Sequence, residues 1–256
     1  MEIKRIIRAI PNGATKPYVI ECTDGNQYVA KFPGNPDGTR VLINEYVCAC
    51  FAQMLQLPIP SFELLFINNI ESYSNYLEGI ELVNGTVFCS RMIDKASQVP
   101  GYRALSKVSN RDDIVKILIF DVIIGNNDRN PGNLLINLKN KSLVMIDHSH
   151  VFIYEAIWDA DQLKKTIKSE ISIGEMNQFS FNMLSVEISK VDKEVIKKFK
   201  EKIKSINKDD IINIVNSVPS DWNITNDDKE ALAEFLYNRI ERIDEIYNIL
   251  KIDGGD

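Results

Sequence analysis

The chain is poor in the residues that build the commonest metal and redox sites. Its 256 residues include two histidines, His148 and His150, and four cysteines, Cys22, Cys48, Cys50 and Cys89, with no C-x-x-C pair. The cysteines lie in hydrophobic settings such as EYVCACFAQM, which points to buried free thiols rather than disulfides or zinc ligands. Long apolar runs are also missing: none approaches the roughly 18 residues that span a bilayer. The start, MEIKRIIRAIPNG, is too short and interrupted in its apolar part to read as a secretory signal. A cytoplasmic protein with no membrane partner is the expectation. Nor is positive charge in surplus. Thirty Lys and Arg against 36 Asp and Glu leave a net charge of −6, which offers no general basic surface for direct nucleic-acid binding. The lysine-rich VDKEVIKKFKEKIKSINK carries Val191, Val195, Ile196, Phe199 and Ile203 at helical spacing, the pattern of an amphipathic helix with a solvated face. Internal repeats and low-complexity linkers are absent as well.

What is present is an ordinary globular composition, 45% hydrophobic, long enough for one large domain or two small lobes sharing a cleft. The first part reads mainly as strands. The segment 3–10 is strand-like, and YVIECT and QYVAKF flank Asp24, Gly25 and Asn26, a hairpin turn. From Thr39, TRVLINEYVCACFAQMLQL has apolar residues at three- and four-residue steps and stops before Pro58, which cannot continue a helix. SFELLFI and GTVFCSRMI are further strands, the second entered through a turn at Asn84 and Gly85. Beyond about residue 93 helices dominate. Asn110 is the expected N-cap of RDDIVKILIFDVIIG, which leads straight into GNNDRNPGN. LLINL and LVMID then form a hairpin around KNKS, and the remainder is helical, ending in one long helix within NDDKEALAEFLYNRIERIDEIYNILK.

A short hairpin brings its ends together, so Asn133 and Asp147 should be neighbours, and an Asn beside an Asp offers oxygen ligands suited to Mg²⁺. Asp128 lies on the same loop as Asn133 and can accept a proton. Metal-bound oxygens beside a carboxylate base are what phosphoryl transfer requires. Taken alone, Asp-x4-Asn is as well explained by capping and turning. A phosphotransferase also needs a cation for the phosphates, and Lys31 sits inside an otherwise apolar strand. Glu45, in the following helix, would offset the cost of burying its ammonium. A lone strand lysine more often snorkels to water; Lys31, Glu45, Asp128, Asn133 and Asp147 in that order are harder to explain so.

The ordered segments NGATKPY, YVAKF, NEYV, LPIP, NNDRNPGN and MIDHSHVF resemble the HipA-like kinases, a bacterial branch of the protein-kinase-like fold. NNDRNPGNLLIN and MIDHSHVF are also similar to the catalytic and metal loops of phosphoinositide kinases. The resemblance implies an α+β, bilobal protein-kinase-like fold: a small β-rich N-terminal nucleotide-binding lobe with one main helix, residues 1–92, and a larger α-helical catalytic lobe with the hairpin, residues 93–256. It implies ATP and Mg²⁺ as cofactors, Lys31 on the α- and β-phosphates with Glu45 as its partner, Asp128 as base, and Asn133 and Asp147 as metal ligands. Gly13, Ala14, Thr15 and Lys16 would cover the nucleotide, and residues 88–92, among them Cys89, Ser90, Arg91 and Met92, would join the lobes and meet the adenine. Thr15 would be a self-phosphorylation site, and an antitoxin-like or regulatory protein a partner.

The chain departs from protein kinases in having one glycine in its nucleotide loop, Asn126-Asn127-Asp128 for His-Arg-Asp, Asp147-His148-Ser149 for Asp-Phe-Gly, and no Ala-Pro-Glu. These changes argue against activation-loop regulation of the usual kind. Three readings follow. The first is a serine/threonine protein kinase acting on a protein substrate. The second is a small-molecule or lipid kinase, although residues 151–163 hold no Lys or Arg and three acids, which disfavours an acceptor rich in phosphate. The third is a nucleotide-binding module without catalysis.

Overall fold

The computed structural model describes residues 1–11, 13–153, 155–174, 177–188 and 190–252. Strands β1 (Ile3–Ala9), β2 (Tyr18–Cys22), β3 (Gln27–Lys31), β4 (Phe62–Ile67) and β5 (Gly85–Arg91) form an antiparallel sheet in the order β1-β2-β3-β5-β4. The turn between β2 and β3 follows its sequence: Gly25 takes φ +79°, where a side chain would be strained, and the Asp24 carboxylate accepts the Asn26 N–H at 3.0 Å. Helix α1 (Arg40–Met54) lies between this sheet and the rest of the chain. Buried residues occupy nearly all sides of it, Asn44 and Glu45 included, so its apolar pattern is that of an enclosed helix. It ends where Gln56 turns left-handed at φ +59° and Leu57 N–H bonds back to the Ala52 carbonyl, just before Pro58.

After β6 (Ala96–Gln98) and the short α2 (Tyr102–Leu105), helix α3 (Asp113–Ile123) runs through the main core, with Ile117, Ile119, Phe120 and Ile123 fully enclosed. Burying each such side chain contributes about 1.5–3 kcal/mol, which explains why so apolar a segment is central. Asn110 is not its N-cap. The helix begins three residues later, with Asp112 at the cap position and no side-chain cap bond. Asn110 instead exchanges bonds of 2.7 and 3.0 Å with the main chain of Leu143, tying the helix start to the hairpin. That hairpin, β7 (Leu134–Asn137) and β8 (Leu143–Met145), gains β6 as a third strand.

The remaining helices are α4 (Ala160–Ile167), α5 (Gln178–Ile188), α6 (Lys193–Lys204), α7 (Lys208–Asn216), α8 (Asn226–Glu241) and α9 (Ile243–Ile249). In α6, Ile196, Phe199 and Ile203 are buried beneath a solvated lysine face. The expected single final helix is broken at Arg242, whose side chain bonds Glu245 and the carbonyls of Ile167 and Ser169. Two hydrophobic clusters result, one on the five-stranded sheet and a larger one that joins α1 to the helical part. Among the described residues no helix is long and apolar enough to cross a membrane.

Candidate active site

Lys31 ends β3 and Glu45 lies one turn into α1, and the packing of that helix brings them together: Nζ to Oε1 is 2.5 Å with both side chains buried. The same ammonium donates to Asp147 Oδ1 at 2.9 Å and to Ser149 Oγ at 2.6 Å. Ser149 in turn donates to Asp147 Oδ1 at 2.7 Å. Burial alone would lower the pKa of Lys31, but the charges of Asp147 and Glu45 outweigh it and push it above the ordinary lysine value. Burial also opposes ionisation of Asp147, yet Lys31 and Ser149 hold its carboxyl well below the usual range. Glu45 is the opposite case: burial raises it despite Lys31. Asp147 itself sits at φ +57°, a left-handed turn of the kind an Asp tolerates.

The loop 125–133 is held from both sides. Asp121 of α3 accepts the Arg129 guanidinium at 2.9 and 3.0 Å and the Asn126 amide at 2.9 Å. Arg129, 1% exposed, spends its other N–H groups on the carbonyls of Asn133 and Ile146, at 2.8 and 2.9 Å, joining the loop to the strand that delivers Asp147. It also reaches His148 Nε2 at 3.0 Å. Because a guanidinium only donates, that nitrogen accepts and the ring is neutral with its proton on Nδ1. Burial first, and the charge of Arg129 second, hold His148 well below the ordinary histidine pKa. Asn177 closes the loop from beneath, accepting the Arg129 N–H at 2.6 Å and donating to the Asn126 carbonyl.

This frame presents Asp128. Its carboxylate accepts Asn130 at 2.9 Å and Asn133 Nδ2 at 3.1 Å, and His150 Nδ1 stands 3.9 Å away. Asn126 and Asn130 shape the loop, Asn126 Oδ1 accepting the Asp128 N–H and Asn130 Oδ1 the Gly132 N–H. Asn133 donates through Nδ2, which leaves its Oδ1 unengaged among the described residues, while every hydrogen bond to Asp147 arrives on Oδ1 and leaves Oδ2. One amide oxygen and one carboxylate oxygen next to the cleft suit a hard cation whose remaining ligands come from phosphates and water. Among the described residues no cluster of three or more His, Cys, Asp or Glu competes as a metal site.

The other expected positions fare unevenly. Phe88 and Ser90 line a narrow cleft with Phe62, Ala49, Met145 and Asp147. Cys89 faces the opposite way, enclosed in the sheet cluster. The N–H groups of Arg91 and Met92 already donate to Ser61 and Gln27, at 2.7 and 2.9 Å. Residues 13–16 form a turn, Lys16 N–H to Gly13 O at 2.9 Å. Ala14 is exposed, and the Lys16 side chain lies against Gly79 rather than at Lys31. Thr15 is 4% exposed, so its hydroxyl is reached only if the turn opens.

A model of the HipA-like kinase family matches residues 3–248. The chain belongs to that family. The membership supports a phosphotransferase. No curated protein sequence matches the chain. Among solved structures, the Helicobacter pylori proinflammatory kinase CtkA is similar at 15% identity, with 96% of this chain and 95% of that one covered and a TM-score of 0.55. HipA of Shewanella oneidensis MR-1, solved with HipB and operator DNA, is similar at 11% identity over 100% of this chain and 67% of that one, with a TM-score of 0.54. At these identities the likeness shows the fold, which is protein-kinase-like and α+β.

Sequence reading missed Asp121, Arg129, Ser149 and Asn177 among the residues that build this family member's site. Arg129 and Ser149 stand within the motif segments, where nothing in the local pattern distinguishes them from turn residues; Asp121 is a lone acid inside the apolar helical run ILIFDVIIG, a signal that could have found it. Asn177 is 48 residues from its partner.

Proposed function

We propose that this HipA-like kinase uses Mg-ATP to phosphorylate a serine or threonine of a protein substrate, with residues 1–92 as the nucleotide-binding lobe and 93–256 as the catalytic lobe. The observation that carries the reading is Lys31, bonded at once to Glu45 of α1 and to Asp147 beyond the hairpin, beside the framed loop that holds Asp128 and Asn133. In this reading Lys31 exchanges its bond to Asp147 for the nucleotide's phosphates while Glu45 keeps the ammonium in place. Asn133 Oδ1 and the carboxylate of Asp147 would hold Mg²⁺, which would supply positive charge beside the phosphates. Asp128 orients the acceptor hydroxyl and takes its proton. The fold kinship with a HipA solved alongside HipB favours a regulatory, antitoxin-like protein partner, and a cytoplasmic location accords with it.

Incubation with γ-labelled ATP and Mg²⁺, followed by separation of protein-bound from small-molecule label, tests the assignment. Protein-bound label that falls by about 10²–10⁴-fold in Asp128→Ala is the expected result. Label on small molecules alone would move the acceptor to a metabolite, and no transfer or ATP turnover by the unaltered chain would leave a binding module.

A further inference from the structure

Against the loop 125–133, residues of α3, α5 and α8 and residues 170–174 line a cavity of about 70 Å³, several times the ~10–15 Å³ that admits one water. Its apolar walls come from Leu118, Val122, Phe181 and Leu250. Of the polar side chains that line it, two lack a hydrogen-bond partner among the described residues. Arg239 of α8 is 2% exposed, and among the described residues its guanidinium has no hydrogen bond or ion pair, its one contact being the Phe235 ring at 5.1 Å. Ser180 of α5 is 1% exposed and its buried Oγ has no partner among the described residues.

Among the described residues no carboxylate pairs with Arg239, although the charge of Glu245 favours its charged form. Asp121, on the wall, is taken by Arg129 and Asn126. Glu245 is paired with Arg242 at 2.8 Å, and Glu170 is exposed at the rim. An enclosed cation without a counter-charge is costly, by several kcal/mol in an apolar surround. Burial, then the charge of Arg242, pulls the Arg239 pKa down to about 10, which registers the same deficit.

We propose that this cavity is a binding site for a small oxyanion of the phosphate class, held by the Arg239 guanidinium and the Ser180 hydroxyl. The guanidinium offers paired donors to such an oxyanion, and the hydroxyl supplies a further one. Asn126, Asn127 and Arg129 form part of the same wall, so an occupant would rest against the loop that carries Asp128.

Thermal unfolding of the full chain in inorganic phosphate against chloride of equal ionic strength tests the site without recourse to activity. Phosphate at about ten times its dissociation constant is expected to raise the Tm by about 3–6 °C, and Arg239→Met to abolish the rise, with Ser180→Ala weakening it. In chloride, Arg239→Met is expected to keep or raise the Tm, because it removes a buried charge that nothing among the described residues pairs. A phosphate shift that is absent, or equal in the chain and in Arg239→Met, overturns the proposal. A Tm several degrees lower for Arg239→Met in chloride overturns it too, since it would show a counter-charge already in place.

Discussion

Two of the places where the sheet and α1 are fastened to the helical part differ in character. At the front, Lys31, Glu45, Asp147 and Ser149 share one ammonium among a carboxylate from α1 and two groups from beyond the hairpin. At the back, the hydrogen bonds of Trp222 and Asp221 with Thr39 and Thr86 include no ion pair. Trp222, 1% exposed, donates from Nε1 to the Thr86 carbonyl of β5 at 2.8 Å, packs edge-on against Tyr46 of α1, and accepts the Thr39 hydroxyl through its carbonyl at 2.9 Å. Asp221 beside it accepts the N–H and the hydroxyl of Thr86 at 2.6 and 2.9 Å. In the proposed reaction the front contacts are ones that phosphates and metal would replace group for group; those at the back have no such competitor. The difference suggests a division of labour, with the rear seam fixing α1 and β5 so that Glu45 stays opposite Lys31, and the front seam left exchangeable.

Trp222→Ala breaks the comparison from behind. It removes an enclosed indole and the bond it donates to the Thr86 carbonyl, which is expected to cost about 3–5 kcal/mol and lower the Tm by about 6–20 °C. Transfer per folded molecule should fall far less than tenfold. Should turnover collapse while the Tm holds, the rear seam would be part of the chemistry and the distinction would be wrong.

Lys31→Met breaks it from the front. Turnover is expected to fall about 10²–10³-fold, the usual effect of deleting one group that meets developing charge. The stability change should be smaller than for Trp222→Ala, because Glu45, already shifted towards its neutral form by burial, can take up a proton when its partner is lost. Steady-state assays beside urea unfolding separate the two quantities; equal losses in both for Lys31→Met would mean that the front seam is structural as well.

The front seam was largely legible in the sequence and the rear seam was not. Asp128 and Asn133 share one loop, and Asp147 is returned to them by a hairpin whose turn is visible, so local rules suffice. Lys31 and Glu45 are 14 residues apart on consecutive elements. Trp222 and Thr86 are separated by 136 residues, and Asp221 and Thr86 by 135; no periodicity encodes such a meeting. The same limit explains Asn110, which has the chemistry of a cap and no nearby competitor in sequence, yet satisfies the backbone of Leu143, 33 residues on. Helix termini are decided by whichever partner packing supplies, and that partner is often distant. Similarly, the turn at Gly13 is expected to cover a nucleotide by resemblance alone, and Lys16 ends against Gly79 because of a contact between remote loops.

The smallest expected effect concerns His148, which follows Asp147 of the front seam and touches Arg129. Its ring must stay neutral because the guanidinium donates to Nε2, and its pKa in the folded chain is held well below the ordinary 6.5. The unfolded chain takes up a proton near 6.5 while the folded chain does not, so this residue's contribution is fully present above that pH and is lost as pH falls beneath it. The slope attributable to one such group is at most about 1.4 kcal/mol per pH unit. Urea unfolding of the chain and of His148→Gln at pH 7.5, 6.0 and 5.0 isolates it, since glutamine can accept from Arg129 without titrating. The unaltered chain should lose more stability over this range than the variant. Parallel losses would place the acid sensitivity elsewhere, and a smaller loss in the unaltered chain would mean that His148 is charged beside Arg129, which the geometry of that contact does not allow.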